Sequence, residues 1–160
     1  MKYTFLLLLL LLSAVLFACT STSTGVHVIY LDKLDHKAEV EVNGQYGPGY
    51  YRYALIENAP NSTDSLKQII LTYCDSAVNK TDVEAHYIRY FIQFYRLSKN
   101  TKSYMKGKED YWDNHNDINQ ELEDYKGEYR FERCGTDSLH GVWTMEVNGK
   151  TDTLENKCTQ

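Results

Sequence analysis

Thr81-Asp82-Val83-Glu84-Ala85-His86-Tyr87-Ile88-Arg89-Tyr90-Phe91-Ile92-Gln93-Phe94-Tyr95-Arg96-Leu97 is a long apolar-rich stretch in the middle of the chain. Thr81 followed by Glu84 has the form of a capping box, in which a hydroxyl and a carboxylate satisfy the free amides of a helix start. Val83, Tyr87, Ile88, Phe91, Ile92, Phe94, Tyr95 and Leu97 then cover more than half of a helical circumference. Arg89, Arg96 and Lys99 take the remainder. This pattern predicts a central helix, the most buried one of the domain.

The neighbouring segments are read against that helix. Upstream, Leu66, Ile69, Ile70, Tyr73 and Ala77 recur at helical spacing and predict an amphipathic helix, with Ser65 and Gln68 as its cap. Before it come three expected strands. Val26–Leu31 is β-branched and aromatic, Ala38–Val42 alternates apolar with charged residues, and Tyr50–Ile56 follows the breaker Gly47-Pro48-Gly49. Asn43-Gly44 marks a turn. Alternation in the third strand puts Tyr51, Tyr53 and Leu55 on one face. Tyr50 and Arg52 then point outward. Downstream, Glu109–Tyr125 predicts a peripheral helix around Trp112, Ile118, Leu122 and Tyr125, stopped at Gly127. Tyr129–Cys134 and Val142–Val147 alternate as strands, and Asn148-Gly149 turns the second into Thr151–Leu154. The expected class is α+β: an antiparallel sheet from N- and C-terminal strands, with two or three central helices on one face.

The start of the chain reads differently. Lys2, the apolar run Phe5–Leu12 and the small residues before Cys19 form a secretory leader. From Phe5 to Ala18 the stretch is too short for the roughly 20 residues of a spanning helix. Leu16-Phe17-Ala18-Cys19 resembles the lipobox of bacterial lipoproteins. The resemblance implies cleavage before Cys19, a diacylglycerol thioether on its sulfur and a further acyl chain on the new amino terminus. Two or more chains anchor a protein stably in a bilayer. The expected organisation is a signal peptide over 1–18, a lipidated flexible tether over 19–25 and one α+β domain over 26–160. Thr20 stands where inner-membrane lipoproteins often carry aspartate. By resemblance, the expected location is the outer membrane, facing the periplasm.

Charge and cysteines narrow the options. With 17 Lys+Arg against 22 Asp+Glu, the formal net charge is −5, which leaves no basic footprint for nucleic acid. Of 4 cysteines, Cys19 is assigned to lipid. An oxidising compartment favours one bridge among the other three. Cys134–Cys158 is the favoured pair because these cysteines flank the last hairpin, and Cys74 is then a small buried hydrophobe.

No motif carries chemistry. The chain has no nucleophile elbow, phosphate loop or zinc pattern. Asp113-Asn114-His115-Asn116-Asp117 fails as a calcium loop, because Ile118 stands where the turn glycine is needed. No metal or cofactor is expected. Two features stand out. Tyr46, Tyr50 and Arg52 crowd a glycine-rich segment and are the candidate binding residues, because tyrosine offers rigid amphipathic contact area. Asp64-Ser65-Leu66, Asp75-Ser76-Ala77, Asp137-Ser138-Leu139 and Asp152-Thr153-Leu154 are similar to an O-glycosylation signal of one group of bacteria. That makes Ser65, Ser76, Ser138 and Thr153 candidate acceptors. The expectation is a membrane-anchored, non-catalytic envelope lipoprotein that binds a protein or glycan partner, of inhibitor or immunity type among others. The alternative is a periplasmic enzyme acting on cell wall or glycan through a carboxylate pair.

Overall fold

A computed structural model describes residues 25–107, 117–135 and 139–158. The leader, Cys19, Ser138 and the Asp113–His115 stretch lie outside the described residues. Three strands come first: β1 (His27–Tyr30), β2 (His36–Val42) and β3 (Gln45–Glu57). Two helices follow, α1 (Thr63–Ala77) and α2 (Lys80–His86). The remaining strands are β4 (Arg89–Arg96), β5 (Tyr125–Arg133), β6 (Gly141–Val147) and β7 (Lys150–Asn156). They form one seven-stranded sheet in the order β1-β3-β4-β5-β6-β7, with β2 also paired to β3.

β3 organises this sheet. Its 13 residues take β2 along the first part and β1 along the last, with His36 opposite Tyr51 and Tyr30 opposite Ala54. On the other side β4 pairs with it in parallel, Tyr51 beside Phe91. The sheet is therefore mixed, not antiparallel as expected. α1 and α2 form the crossover that brings the chain back in the same direction, as parallel neighbours require. The expected breaker Gly47-Pro48-Gly49 lies inside β3, opposite Val40, Glu39 and Ala38. A Cβ at Gly49 would come within 2.9 Å of the Tyr51 hydroxyl, so a larger residue there would displace that ring.

The expected central helix is the largest correction. It stops at His86, and Tyr87 is already extended at φ −126° and ψ 148°. From Arg89 the chain is a central strand of the sheet. A strand covered on both faces loses its alternation and reads as a continuous apolar run. Phe94 enters one core and Tyr95 the other. The caps differ too. Ser62 accepts from the Ser65 amide at the start of α1, and Asn79 from the Asp82 amide at the start of α2. In place of the described end of the peripheral helix are 3-10 turns at Ile118–Gln120 and Leu122–Asp124, then β5 from Tyr125. Gly127 is within β5 and not a helix stop.

Two cores flank the sheet. Leu66, Ile70 and Cys74 of α1 and Val83 of α2 pack on Ala54, Ile92, Phe94 and Phe131. Trp143 is at the centre, fully buried, with the Phe131, Tyr129 and Tyr90 rings at 5.0, 5.2 and 6.2 Å. The second core joins Leu55, Tyr53 and Tyr95 to Leu34, Tyr104 and Ile118, which come from 3-10 turns. Helical pieces are thus divided between the faces rather than gathered on one.

Two turns are as expected. Asn43-Gly44 and Asn148-Gly149 have positive φ at both positions, 50° and 78° in the first, 51° and 74° in the second. These are the values of the mirror-image turn that suits strand twist.

Candidate functional site

Alternate residues of β3 leave the sheet on opposite sides, so the face of each candidate follows from its position. Tyr50 and Arg52 turn toward the helix-covered side, not outward. There the Arg52 Nε donates to the Tyr30 hydroxyl at 3.0 Å, and its Nη1 donates to Tyr90 at 2.8 Å. The Tyr30 and Tyr50 hydroxyls both donate to Asp35 Oδ2, the second at 2.6 Å. The guanidinium carbon is 4.3 Å from the Tyr30 ring centre, and Lys37 Nζ is 5.3 Å from the Tyr50 and Tyr87 rings.

Burial and Asp35 push the Tyr50 hydroxyl well above its ordinary pKa. Burial works against the Arg52 charge, but Tyr90 and Tyr30 outweigh it and hold the group protonated. Asp35 Oδ1 is buried with no hydrogen-bond partner among the described residues. With both side chains at most 14% exposed, Arg52 and Asp35 form an internal tie joining β1, β3 and β4 to the residue before β2. Tyr46 does not join them. It is 76% exposed near the β2–β3 turn.

The opposite side of the same strands is more open. Register puts His36, Tyr51, Phe91, Arg130, Thr144 and Thr153 in one row across six strands. His36 stacks on Tyr51 at 4.8 Å and 8°, and Phe91 meets Tyr51 edge-on at 4.6 Å. Beside the rings runs a ladder of charge. Arg89 Nη2 is 2.9 Å from Glu132 Oε1, and Arg130 Nε is 2.5 Å from Glu128 Oε1. Gln93 donates to the other Glu128 oxygen at 3.0 Å.

Past the ladder is a cavity of about 280 Å³, bounded by Asn43, Glu132, Arg133, Val142, Thr144 and the disulfide. Neither α1 nor α2 contributes to the core on this side. The sequence pattern assigned Tyr51 to a strand face and Phe91 to a buried helix, and gave His36 no role. His36 meets Tyr51 through the antiparallel β2–β3 pairing, and Phe91 joins them because β4 pairs with β3 in parallel.

Acid–base groups elsewhere are committed to structure. Glu84 accepts from Trp143 Nε1 at 2.8 Å and from Lys157 Nζ at 2.9 and 3.0 Å. Partial burial pushes Glu84 up, but these donors outweigh it and hold the carboxyl below its ordinary range. Glu155 is also lowered, by Lys157. A general acid needs the opposite displacement. Among the described residues, no group of three or more His, Cys, Asp or Glu is placed to hold a metal ion.

The expected crosslink is present: Cys134 and Cys158 are bonded, with Cα atoms 5.5 Å apart. Cys74 is free and buried, and burial pushes its thiol far above the nucleophilic range. Of the candidate acceptors, Ser65, Ser76 and Thr153 are exposed. No described helix is long and apolar enough to cross a membrane. No known protein family, curated protein or solved structure matches the chain.

Proposed function

We propose that the chain is a non-catalytic binding module, held at the bacterial envelope by lipid on Cys19, that meets its partner on the open face of its sheet. One observation carries this reading. A half-buried aromatic group, His36, Tyr51 and Phe91, borders a charge ladder, and a cavity lies beyond the ladder, on the side away from both α-helices. Exposed polar and aromatic groups held by a rigid scaffold are the usual material of recognition. The lipobox resemblance supports the anchor, and an anchored module works at a raised local concentration of envelope partners.

The competing reading, a hydrolase using two carboxylates, has less support. Glu128 and Glu132 share this face, but each is bonded to an arginine.

Two measurements test the proposal. The intact mass of the protein extracted from its native envelope should correspond to acylated Cys19 as the first residue, with any sugar on Ser65, Ser76, Ser138 or Thr153 adding to it. A chain still beginning at Met1 removes the anchor. A photo-crosslinker at Thr144 should form a discrete adduct in cells that Phe91→Ala abolishes, while one at Gln68 on α1 should not. Equal labelling from both positions overturns the assignment to this face.

A further inference from the structure

The chemistry of this surface narrows the partner, given that the open face is the recognition surface as proposed. We infer that it binds a neutral glycan, with one sugar ring in the cavity beside the disulfide and the chain continuing over Arg130 toward Phe91 and Tyr51.

Three observations carry the inference. The first is the cavity lining. Asn43 and Thr144 bring polar hydrogen-bonding side chains, Glu132 brings an acceptor, and Val142 and the Cys134–Cys158 bridge are apolar. Arg133 also borders it, but its guanidinium turns to the helix side, where Nη2 donates to the Glu84 carbonyl at 2.6 Å. A sugar ring has both characters, hydroxyls at its rim and C–H groups on its faces. The volume, about 280 Å³, is at the small end of ligand pockets, enough for one ring and not for a drug-sized molecule.

The second is charge. The ladder holds two arginines and two glutamates already bonded to each other. A protein surface laid over it would have to take these pairs out of water, at a cost that often exceeds the gain. Sugar hydroxyls both donate and accept, so they can bond to the carboxylates and the guanidinium groups without breaking the pairs. The balanced ladder and the net charge of −5 disfavour an acidic polymer.

The third is the placement of apolar side chains. The large exposed ones, Val26, Tyr46, Met105, Leu122 and Leu139, all lie outside this row. The row itself offers aromatic rings and no aliphatic group, whereas the buried centre of a protein interface is more apolar than ordinary surface.

The test is an amide NMR titration of the soluble domain, residues 20–160 with the disulfide intact, using neutral trisaccharides of glucose and of N-acetylglucosamine. Folding of this domain is checked first by its thermal transition. Expected are saturable shifts at Asn43, Val142 and Thr144 with at least one sugar, and a loss of about tenfold in affinity in Thr144→Val and in Tyr51→Ala. Both variants must keep the wild-type transition; if Tyr51→Ala does not, Tyr51→Leu replaces it. No shifts at millimolar sugar, or shifts on the helix side, overturn the glycan assignment. The crosslinking test separates the two proposals. An adduct to a protein at Thr144 with no sugar response keeps the recognition face and removes the glycan. No adduct and no response removes both.

Discussion

The two faces of this sheet share the same strands and differ in what they bury. On the helix side, Ala54, Ile56, Ile92, Phe94, Phe131 and Trp143 are wholly excluded from water. On the other, the same strands carry Gln93, Glu128, Arg130 and Glu132, bonded to one another, with Thr144 beside them. Apolar burial stabilises at roughly 25 cal/mol per Å², whereas ion pairs near water contribute at most about 1 kcal/mol each. The larger core is on the helix side, and the second, around Leu55, Tyr53 and Tyr95, covers only part of the opposite face. The rest of that face holds groups suited to contact with something else. Substitutions in the two regions should separate stability from recognition.

The largest effect is expected at the centre of the covered face. Trp143→Ala removes a fully buried ring that touches three others and should lower unfolding free energy by about 3–5 kcal/mol in a denaturant titration. If Phe91→Ala on the open face costs as much, the contrast fails. Next is the crosslink, where replacing Cys134 and Cys158 by serine should cost about 3 kcal/mol for a bridge spanning 24 residues. It should also weaken any ligand seated beside it. Arg52→Met comes third. It leaves the Tyr30 and Tyr90 hydroxyls without their donor and Asp35 without its ion-pair partner, at a cost of about 2 kcal/mol.

The fourth prediction concerns pH. Glu84 has a lowered pKa in the folded state, so its contribution is complete above the ordinary carboxylate value of 4.5 and is lost as acid carries the solution through the lower folded value. Glu84→Gln should flatten that part of the stability–pH curve, and an unchanged slope would separate α2 from the acid response. The smallest effect belongs to Tyr46→Ser, within about 0.5 kcal/mol at an exposed position.

Local chemistry made much of the scaffold legible in advance. Both Asn-Gly turns, the alternating strands Ala38–Val42 and Val142–Val147 and the stripe of α1 could be read from neighbours a few residues apart. The Cys134–Cys158 pair also followed, because few thiols remained to choose among. Residues 87–97 could not be read this way. Helix and doubly covered strand both demand apolar side chains at nearly every position, and periodicity does not separate them. The error there hid the parallel pairing, and with it the row that joins His36, Tyr51 and Phe91. For Tyr50 and Arg52, alternation was right but its sign was not. Residues that read as outward are turned inward, where Tyr30, Asp35 and Tyr90 satisfy them.

By itself the sequence determined the local elements whose cause is local: turns that need a left-handed backbone, alternating strands and an amphipathic helix. Only the tertiary structure decided the partners. Whether Ile88–Tyr95 coils or extends, which face takes the arginine and which residues border the cavity depend on strands far apart in the chain. The reason is physical. Burial and ion pairing act through space, and no residue encodes the distance to a neighbour that the fold has yet to bring beside it.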